Sequence, residues 1–327
     1  MRRVAPCVAA AVLVSGLTIA AQPASADGAA WRREREHRLE LRKTEAASET
    51  SIVGGKIAPP GAWPFQVAVL RAGWGNNYQS EWCGGTLIDK FHVVSAAHCV
   101  FNMKPSQFSI LTGTQSLALG GTRRAVRTIQ IHPKYDDITT DYDIALITLV
   151  TPATEVKVFA QMIGGTQEQS FARPGTAAYV VGWGSTVKTG GGYPRPLMQA
   201  ELPVVSGKDC NDRNSYNGAI TPRMICAGPT AGGKDSCDGD SGGPLIVKDG
   251  NGHWRLQVGI VSWGADICAL RNKYGVYSRL AVLSNWVRTT IAAQSSDKSG
   301  GAVRADCTVL TGAAQAACLD RAALAPE

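Results

Sequence analysis

From residue 52 to residue 294 the chain is written in short β-rich runs cut by glycine and proline, and this punctuation limits the fold more than any other feature. Phe65 to Leu70, Thr86 to Ile88, His92 to Ser95, Ile144 to Leu149, Ala178 to Val181, Leu245 to Val247 and Gln257 to Ser262 are such runs. Branched and aromatic side chains suit a pleated, half-buried backbone, and the glycines and prolines between them end each run. No repeat of 20 to 50 residues is visible, so many short strands joined by turns predict an all-β sandwich or barrel. One segment reads as helical. Leu283 to Ala293 sets Leu283, Trp286, Val287 and Ile291 on one face, with Ser284 as the expected N-cap.

The ends of the chain have a different character. Met1-Arg2-Arg3 precedes an apolar run from Val8 to Ala21 and the small residues Ala24-Ser25-Ala26. That run is too short to span a bilayer and has the layout of a secretory signal peptide, residues 1–26, so an extracellular protein is expected. Residues 27–51 hold six basic and six acidic residues without a sustained apolar stripe, and read as a solvated helix or a disordered segment that builds no core. Residues 295–327 open on a Ser/Gly-rich linker and end in a short extension.

The formal charge of +7 suggests a nucleic-acid or membrane-surface partner until it is divided by segment. Residues 52–294 carry 22 basic and 16 acidic side chains, thinly spread and without a basic run interleaved with aromatics. Neither nucleic acid nor a membrane is therefore expected as a partner. Of the nine cysteines, Cys7 lies in the signal peptide, and the remaining eight fit up to four disulfides of an exported protein. No Cys-x-x-Cys or His-Glu-x-x-His spacing points to zinc, and no metal or cofactor is expected.

Three islands hold the groups that acyl transfer requires. In Val93-Val94-Ser95-Ala96-Ala97-His98-Cys99 an imidazole ends an apolar strand. In Asp141-Tyr142-Asp143-Ile144-Ala145-Leu146 a carboxylate enters one, where burial demands a partner. In Asp235-Ser236-Cys237-Asp238-Gly239-Asp240-Ser241-Gly242-Gly243 a hydroxyl sits in a glycine-rich turn that can present free backbone N–H groups around it. Any one island is ordinary turn or strand-end chemistry. All three together, in the order His, Asp, Ser, exclude a purely structural reading.

With these islands, Ile52-Val53-Gly54-Gly55, Trp82-Cys83-Gly84-Gly85-Thr86-Leu87-Ile88, Gly182-Trp183-Gly184, Ser262-Trp263-Gly264 and Gly275-Val276-Tyr277, the chain resembles a secreted, bacterial-type trypsin-like serine protease of the chymotrypsin family. The resemblance runs from Ile52 to about Ala293. It implies two six-stranded antiparallel Greek-key β-barrels with a C-terminal helix. It implies Ser241 as nucleophile, His98 as general base, Asp143 as its orienting carboxylate, and the backbone N–H groups of Gly239 and Ser241 as oxyanion hole. Asp235 matches the base of a pocket selecting Lys or Arg, lined by Ser236, Ser262, Trp263, Gly264 and Gly275, where a side chain on either glycine would block entry. The implied disulfides are Cys83 with Cys99, Cys210 with Cys226 and Cys237 with Cys268, leaving Cys307 and Cys318 to each other. Protein substrates, an activating protease, proteinaceous inhibitors and a monomeric enzyme follow from the same resemblance. The competing class is a non-catalytic homologue acting as a binding module; such proteins usually lose the Ser or His, and both remain here.

Cleavage before Ile52 is implied to free an ammonium that pairs with Asp240, which makes residues 27–51 a pro-segment, and Thr50-Ser51 stands where a basic residue is usual. Gly264-Ala265-Asp266-Ile267 is one residue longer than in simple trypsins, and Asp266 is expected to favour basic residues farther along the substrate. Tyr274 replaces a common proline; an aromatic there accompanies sodium in some relatives, and a packing role is expected here. Thr114 and the stretch from Leu117 to Thr122 lack the paired Glu of the animal calcium loop. The active secreted form is expected to begin at Ile52, released by a protease that accepts Ser51. N-terminal sequencing checks this, and a different first residue overturns it.

Overall fold

The structure, a computed structural model, describes residues 53–304. The signal peptide, the pro-segment, Ile52 and the Cys307–Cys318 pair lie outside the described residues. After a two-residue strand β1 (Lys56–Ile57) come β2 (Gln66–Arg71), β3 (Glu81–Leu87), β4 (His92–Ser95), β5 (Phe108–Thr112), β6 (Thr122–Ile131) and β7 (Ala145–Leu149). These six, β2 to β7, close into a barrel in the order β2-β3-β4-β7-β6-β5. After β8 (Gln161–Met162), the strands β9 (Ala177–Gly182), β10 (Met198–Val205), β11 (Met224–Ala227), β12 (Pro244–Lys248), β13 (Trp254–Trp263) and β14 (Gly275–Arg279) repeat the arrangement. Their order is β9-β10-β11-β14-β13-β12, closed by pairing of β12 and β10 with β9. In both barrels three consecutive strands are followed by the last three in reverse, the antiparallel Greek-key architecture. Closure leaves no long edge strand unpaired.

The expected strands are all present: His92–Ser95 is unchanged, β2 is shifted and β7 shortened by one residue, β3 starts five residues earlier and ends one earlier, and β9, β12 and β13 are longer at both ends. Those the sequence reading did not single out include β5, β6, β10 and β14. In β6 the cause is visible: Arg124 is buried, its guanidinium bonded to Thr112, Thr151 and Glu155, so a charge interrupts the apolar alternation. Three turns form short helices, α1 (Asn77–Ser80), α2 (Glu168–Phe171) and α3 (Gly207–Cys210); Asn76 and Ser206 cap the first and third. The C-terminal helix α4 runs from Leu280 to Arg304. It begins earlier than expected and continues through the Ser/Gly-rich stretch read as a linker. Ser284 is therefore not its N-cap. Its hydroxyl lies inside the helix and donates to the Ile163 carbonyl at 2.8 Å.

Both barrels contribute to one connected apolar core, with Val69, Leu87, Val94, Ile110 and Leu146 from the first and Val180, Leu245, Ile260 and Tyr277 from the second. Leu283 and Val287 anchor α4 to that core. The disulfides Cys83–Cys99, Cys210–Cys226 and Cys237–Cys268 are formed as expected. Leu146 on β7 is fully buried opposite Val94. Leu146→Ala removes packing on all sides and is expected to lower the unfolding free energy by about 2–5 kcal/mol in urea titration. A loss below about 1 kcal/mol contradicts the assigned core position.

Candidate active site

His98 lies just after β4, in a short 3-10 turn (Ala97–Cys99), and Asp143 lies just before β7, the strand paired with β4. The pairing of Ser95 with Ala145 thus brings the two islands face to face. Asp143 Oδ1 accepts the backbone N–H of His98 at 2.9 Å, and Oδ2 lies 2.7 Å from the ring Nδ1. The second barrel supplies two further donors. The Ser262 hydroxyl, from β13, reaches Oδ2 at 2.5 Å, and the Ser278 hydroxyl, from β14, reaches the Asp143 carbonyl at 2.5 Å. Burial pushes the carboxyl up, but His98 beside it and the hydrogen bonds from His98 and Ser262 outweigh that and hold it below the usual carboxylate range. A buried Asp143 is thereby an anion that accepts a proton donor on Nδ1 and leaves Nε2 as the basic nitrogen.

Ser241 stands in the turn before β12. Its carbonyl accepts the Gly84 N–H at 2.8 Å from β3, and Cys99 Sγ approaches the same oxygen at 3.7 Å. The Ser241 turn is thus tied to the strand and disulfide beside His98. Within the turn, Asp240 N–H, Gly242 N–H and Gly243 N–H each bond a carbonyl. Gly239 N–H and Ser241 N–H have no acceptor among the described residues, and Gly239 has φ +105°. Gly242, at φ +81°, is irreplaceable on space as well: a Cβ there would lie 2.3 Å from Ser95 Oγ and 2.5 Å from the Gly84 carbonyl.

Asp240 is fully buried, taking the N–H of Gly184 at 2.9 Å and of Cys237 at 3.0 Å. Gly182 and Gly184 make room for it; a Cβ at either would approach its carboxylate to 2.2 and 2.4 Å. Cys83, His98 and Cys99 bring ligand-type atoms within 4.8 Å of one another, but both sulfurs are spent in a disulfide and are not thiolates for a metal.

Comparison with known proteins now decides the family. The trypsin family profile matches residues 52–287. The chain belongs to the trypsin family. It is 40% identical to trypsin of Sus scrofa over 75% of this chain and 97% of that protein. It is 38% identical to anionic trypsin of Canis lupus familiaris over 77% of this chain and 94% of that one, and 38% identical to trypsin 5G1 of Aedes aegypti over 74% and 85%. These relatives are animal proteins, insects included, and the bacterial type expected from the sequence is not supported by them. As a trypsin-like serine endopeptidase, the enzyme hydrolyses peptide bonds in protein substrates.

In this trypsin-like enzyme Asp235 is 4% exposed, two residues before the Cys237–Cys268 disulfide and against Gly275 of β14. Its Oδ2 accepts the Ala269 N–H at 3.2 Å, while Oδ1 has no partner among the described residues. Ser236 lies beside it, its hydroxyl 3.3 Å from that of Tyr277. A Cβ on Gly275 would meet Asp235 Oδ1 at 2.7 Å, so this position tolerates no side chain. A Cβ on Gly264 would meet nothing within 4 Å and would project into open space. Trp263 is partly exposed and packs edge-on against Tyr216. Asp266 is exposed, and Tyr274 is buried among Cys210, Met224, Cys226 and Val276, a packing position.

Burial raises the Asp235 carboxyl to about 7 from 3.8, with the negative Asp240 adding to the effect against the Ala269 and Ser236 hydrogen bonds. The folded state therefore holds a proton that the unfolded chain has released between about pH 4 and pH 7, and this group's contribution to stability falls as pH rises through that window. Asp235→Asn removes the effect. Chemical denaturation is expected to show the variant gaining on the wild type as pH rises from 4 to 7; a constant difference contradicts the desolvated site.

Proposed function

We propose that the enzyme is secreted as a zymogen and cleaves after Arg or Lys through an acyl-enzyme. Ser241 attacks the scissile carbonyl. His98 takes its proton at Nε2 and returns it to the leaving amine, and Asp143 fixes the imidazole tautomer and stabilises its cation. The Gly239 and Ser241 N–H groups receive the oxyanion as charge develops there. Their lack of an acceptor among the described residues, beside the bonded N–H groups of Asp240, Gly242 and Gly243, supports that role.

The observation that carries the specificity is the orphaned Oδ1 of Asp235. A carboxylate so desolvated is favoured by a substrate cation and penalises an apolar side chain that leaves it unpaired. For activation, the Ile52 ammonium freed by cleavage would pair with Asp240. Val53, the next residue, is buried against Cys237, Cys268 and Ala269, and its carbonyl accepts the Asp235 N–H at 3.3 Å, which keeps this terminus beside Asp235. Secretion rests on the signal-peptide layout. One mouse relative is named a transmembrane protease, and among the described residues no helix here is long and apolar enough to cross a membrane.

A peptide library offering Arg, Lys and Phe at the cleaved position tests the reading. Cleavage after Arg and Lys is expected to exceed cleavage after Phe by roughly two orders of magnitude or more, as when a buried polar group is left unpaired. Ser241→Ala is expected to abolish it. Equal cleavage after Phe overturns the pocket, and a working Ser241→Ala enzyme overturns the nucleophile.

A further inference from the structure

The loop that delivers Asp143 makes a second connection to the other barrel, at Asp141. This carboxylate accepts the Thr221 hydroxyl at 2.8 Å and Arg223 Nε at 3.1 Å through Oδ1, and pairs with Arg223 Nη2 through Oδ2. Thr221 and Arg223 belong to the turn that leads into β11, 80 and 82 residues away in sequence. Between the two gripped carboxylates stands Tyr142. Thr140 and Tyr142 both have positive φ, 53° and 55°, a backbone state that costs free energy unless its surroundings hold it.

Those surroundings come from three elements. The His132 ring, just beyond β6, stacks on Tyr142 at 4.6 Å and 21°. The Arg223 guanidinium lies over the same ring at 4.9 Å and Lys134 Nζ at 5.8 Å. On its other side His132 meets Trp286 of α4 at 5.1 Å. Burial raises the Asp141 carboxyl, but the bonds from Arg223 and Thr221 outweigh this and leave it below its usual value, an anion at neutral pH. Burial and Lys134 lower His132, so a neutral ring does the stacking. The charged and titratable groups around the loop are thus Asp141, His132, Lys134 and Arg223, with His98 facing Asp143 itself.

We propose that Arg223 and Thr221, clasping Asp141 and bearing on Tyr142, are positioning residues for Asp143. They hold a strained loop of the first barrel against the second, so that one carboxylate keeps both the backbone N–H and Nδ1 of His98. The clasp touches no reacting atom. Its effect is on the orientation of Asp143, and hence on how well the imidazolium is stabilised when Ser241 gives up its proton. This rests on Asp143 serving His98 as read above.

The full chain carrying Arg223→Met, Arg223→Lys, Thr221→Val or Asp141→Asn, processed as the wild type, is assayed on a single-residue arginine amide, which reaches no farther than the primary pocket. Fluorophosphonate titration of Ser241 supplies the concentration of folded enzyme. Arg223→Met is expected to lower kcat roughly tenfold, within the range that a displaced catalytic group costs, with KM changed less than twofold. The acid limb of kcat/KM is expected to move to lower pH. Arg223→Lys is expected to restore part of the loss, and Asp141→Asn combined with Arg223→Met to cost little more than either alone. If kcat and the acid limb stay at wild-type values, or if only thermal stability falls, the clasp has no positioning role. An Asp143→Asn control separates the two readings: if it keeps wild-type kcat, the role of Asp143 itself is wrong, and if it loses activity while Arg223→Met does not, only the clasp is.

Discussion

The buried carboxylate of Asp143 is the constraint around which the molecule is arranged. An anion at 1% exposure is tolerable only when nearly every lone pair is used, and here the donors come from both barrels. His98 supplies two from the first barrel, and Ser262 and Ser278 supply one each from the second, the last to the carbonyl. Neither barrel alone can satisfy the charge. The interface between them is therefore specified by a polar requirement as well as by the shared apolar core, and His98 lies beside that seam.

The Ser241 turn uses the opposite device, the removal of side chains. Gly84, Gly242 and Gly243 let it touch β3 backbone to backbone, and a Cβ at Gly84 would approach Gly243 Cα to 2.9 Å. Gly182 and Gly184 do the same around Asp240. Because the turn is held largely through its main chain and the buried Asp240 carboxylate, few soft side-chain torsions are left through which Ser241 could drift. Among the described residues the N–H groups of Gly239 and Ser241 have no acceptor, and free donors of that kind can stabilise negative charge without reorganisation.

Much of this was legible in the residues because it depends on local chemistry. Glycine spacing in the Ser241 turn, the apolar strands flanking His98 and Asp143, and the cysteine pattern all survive in one dimension. What was missed has a common cause. Ser278, Thr221 and Arg223 are ordinary side chains in ordinary positions, and nothing in Gly275-Val276-Tyr277-Ser278-Arg279 marks the serine as a partner of a residue 135 positions earlier. Ser262 is legible as a residue of the substrate site, but the bond of its hydroxyl to Asp143, 119 positions earlier, is not. Arg124 hid β6 because the buried cation finds its partners on β5 and on the segment after β7. Helix α4 was underestimated at both ends, since its Ser/Gly-rich stretch has low intrinsic propensity while its packed first turns supply a nucleus from which it propagates.

By itself, the sequence determined the β-rich class and the three islands that carry the imidazole of His98, the carboxylate of Asp143 and the hydroxyl of Ser241, because residue type and short-range spacing dictate strand propensity and turn chemistry. Only the tertiary structure decided how those groups are held: which hydroxyls complete the shell of Asp143, why Oδ1 of Asp235 is left without a donor, and how Asp141 is gripped across the seam. Desolvation and hydrogen-bond geometry arise from residues distant in sequence and acquire their values only when the two barrels close against each other.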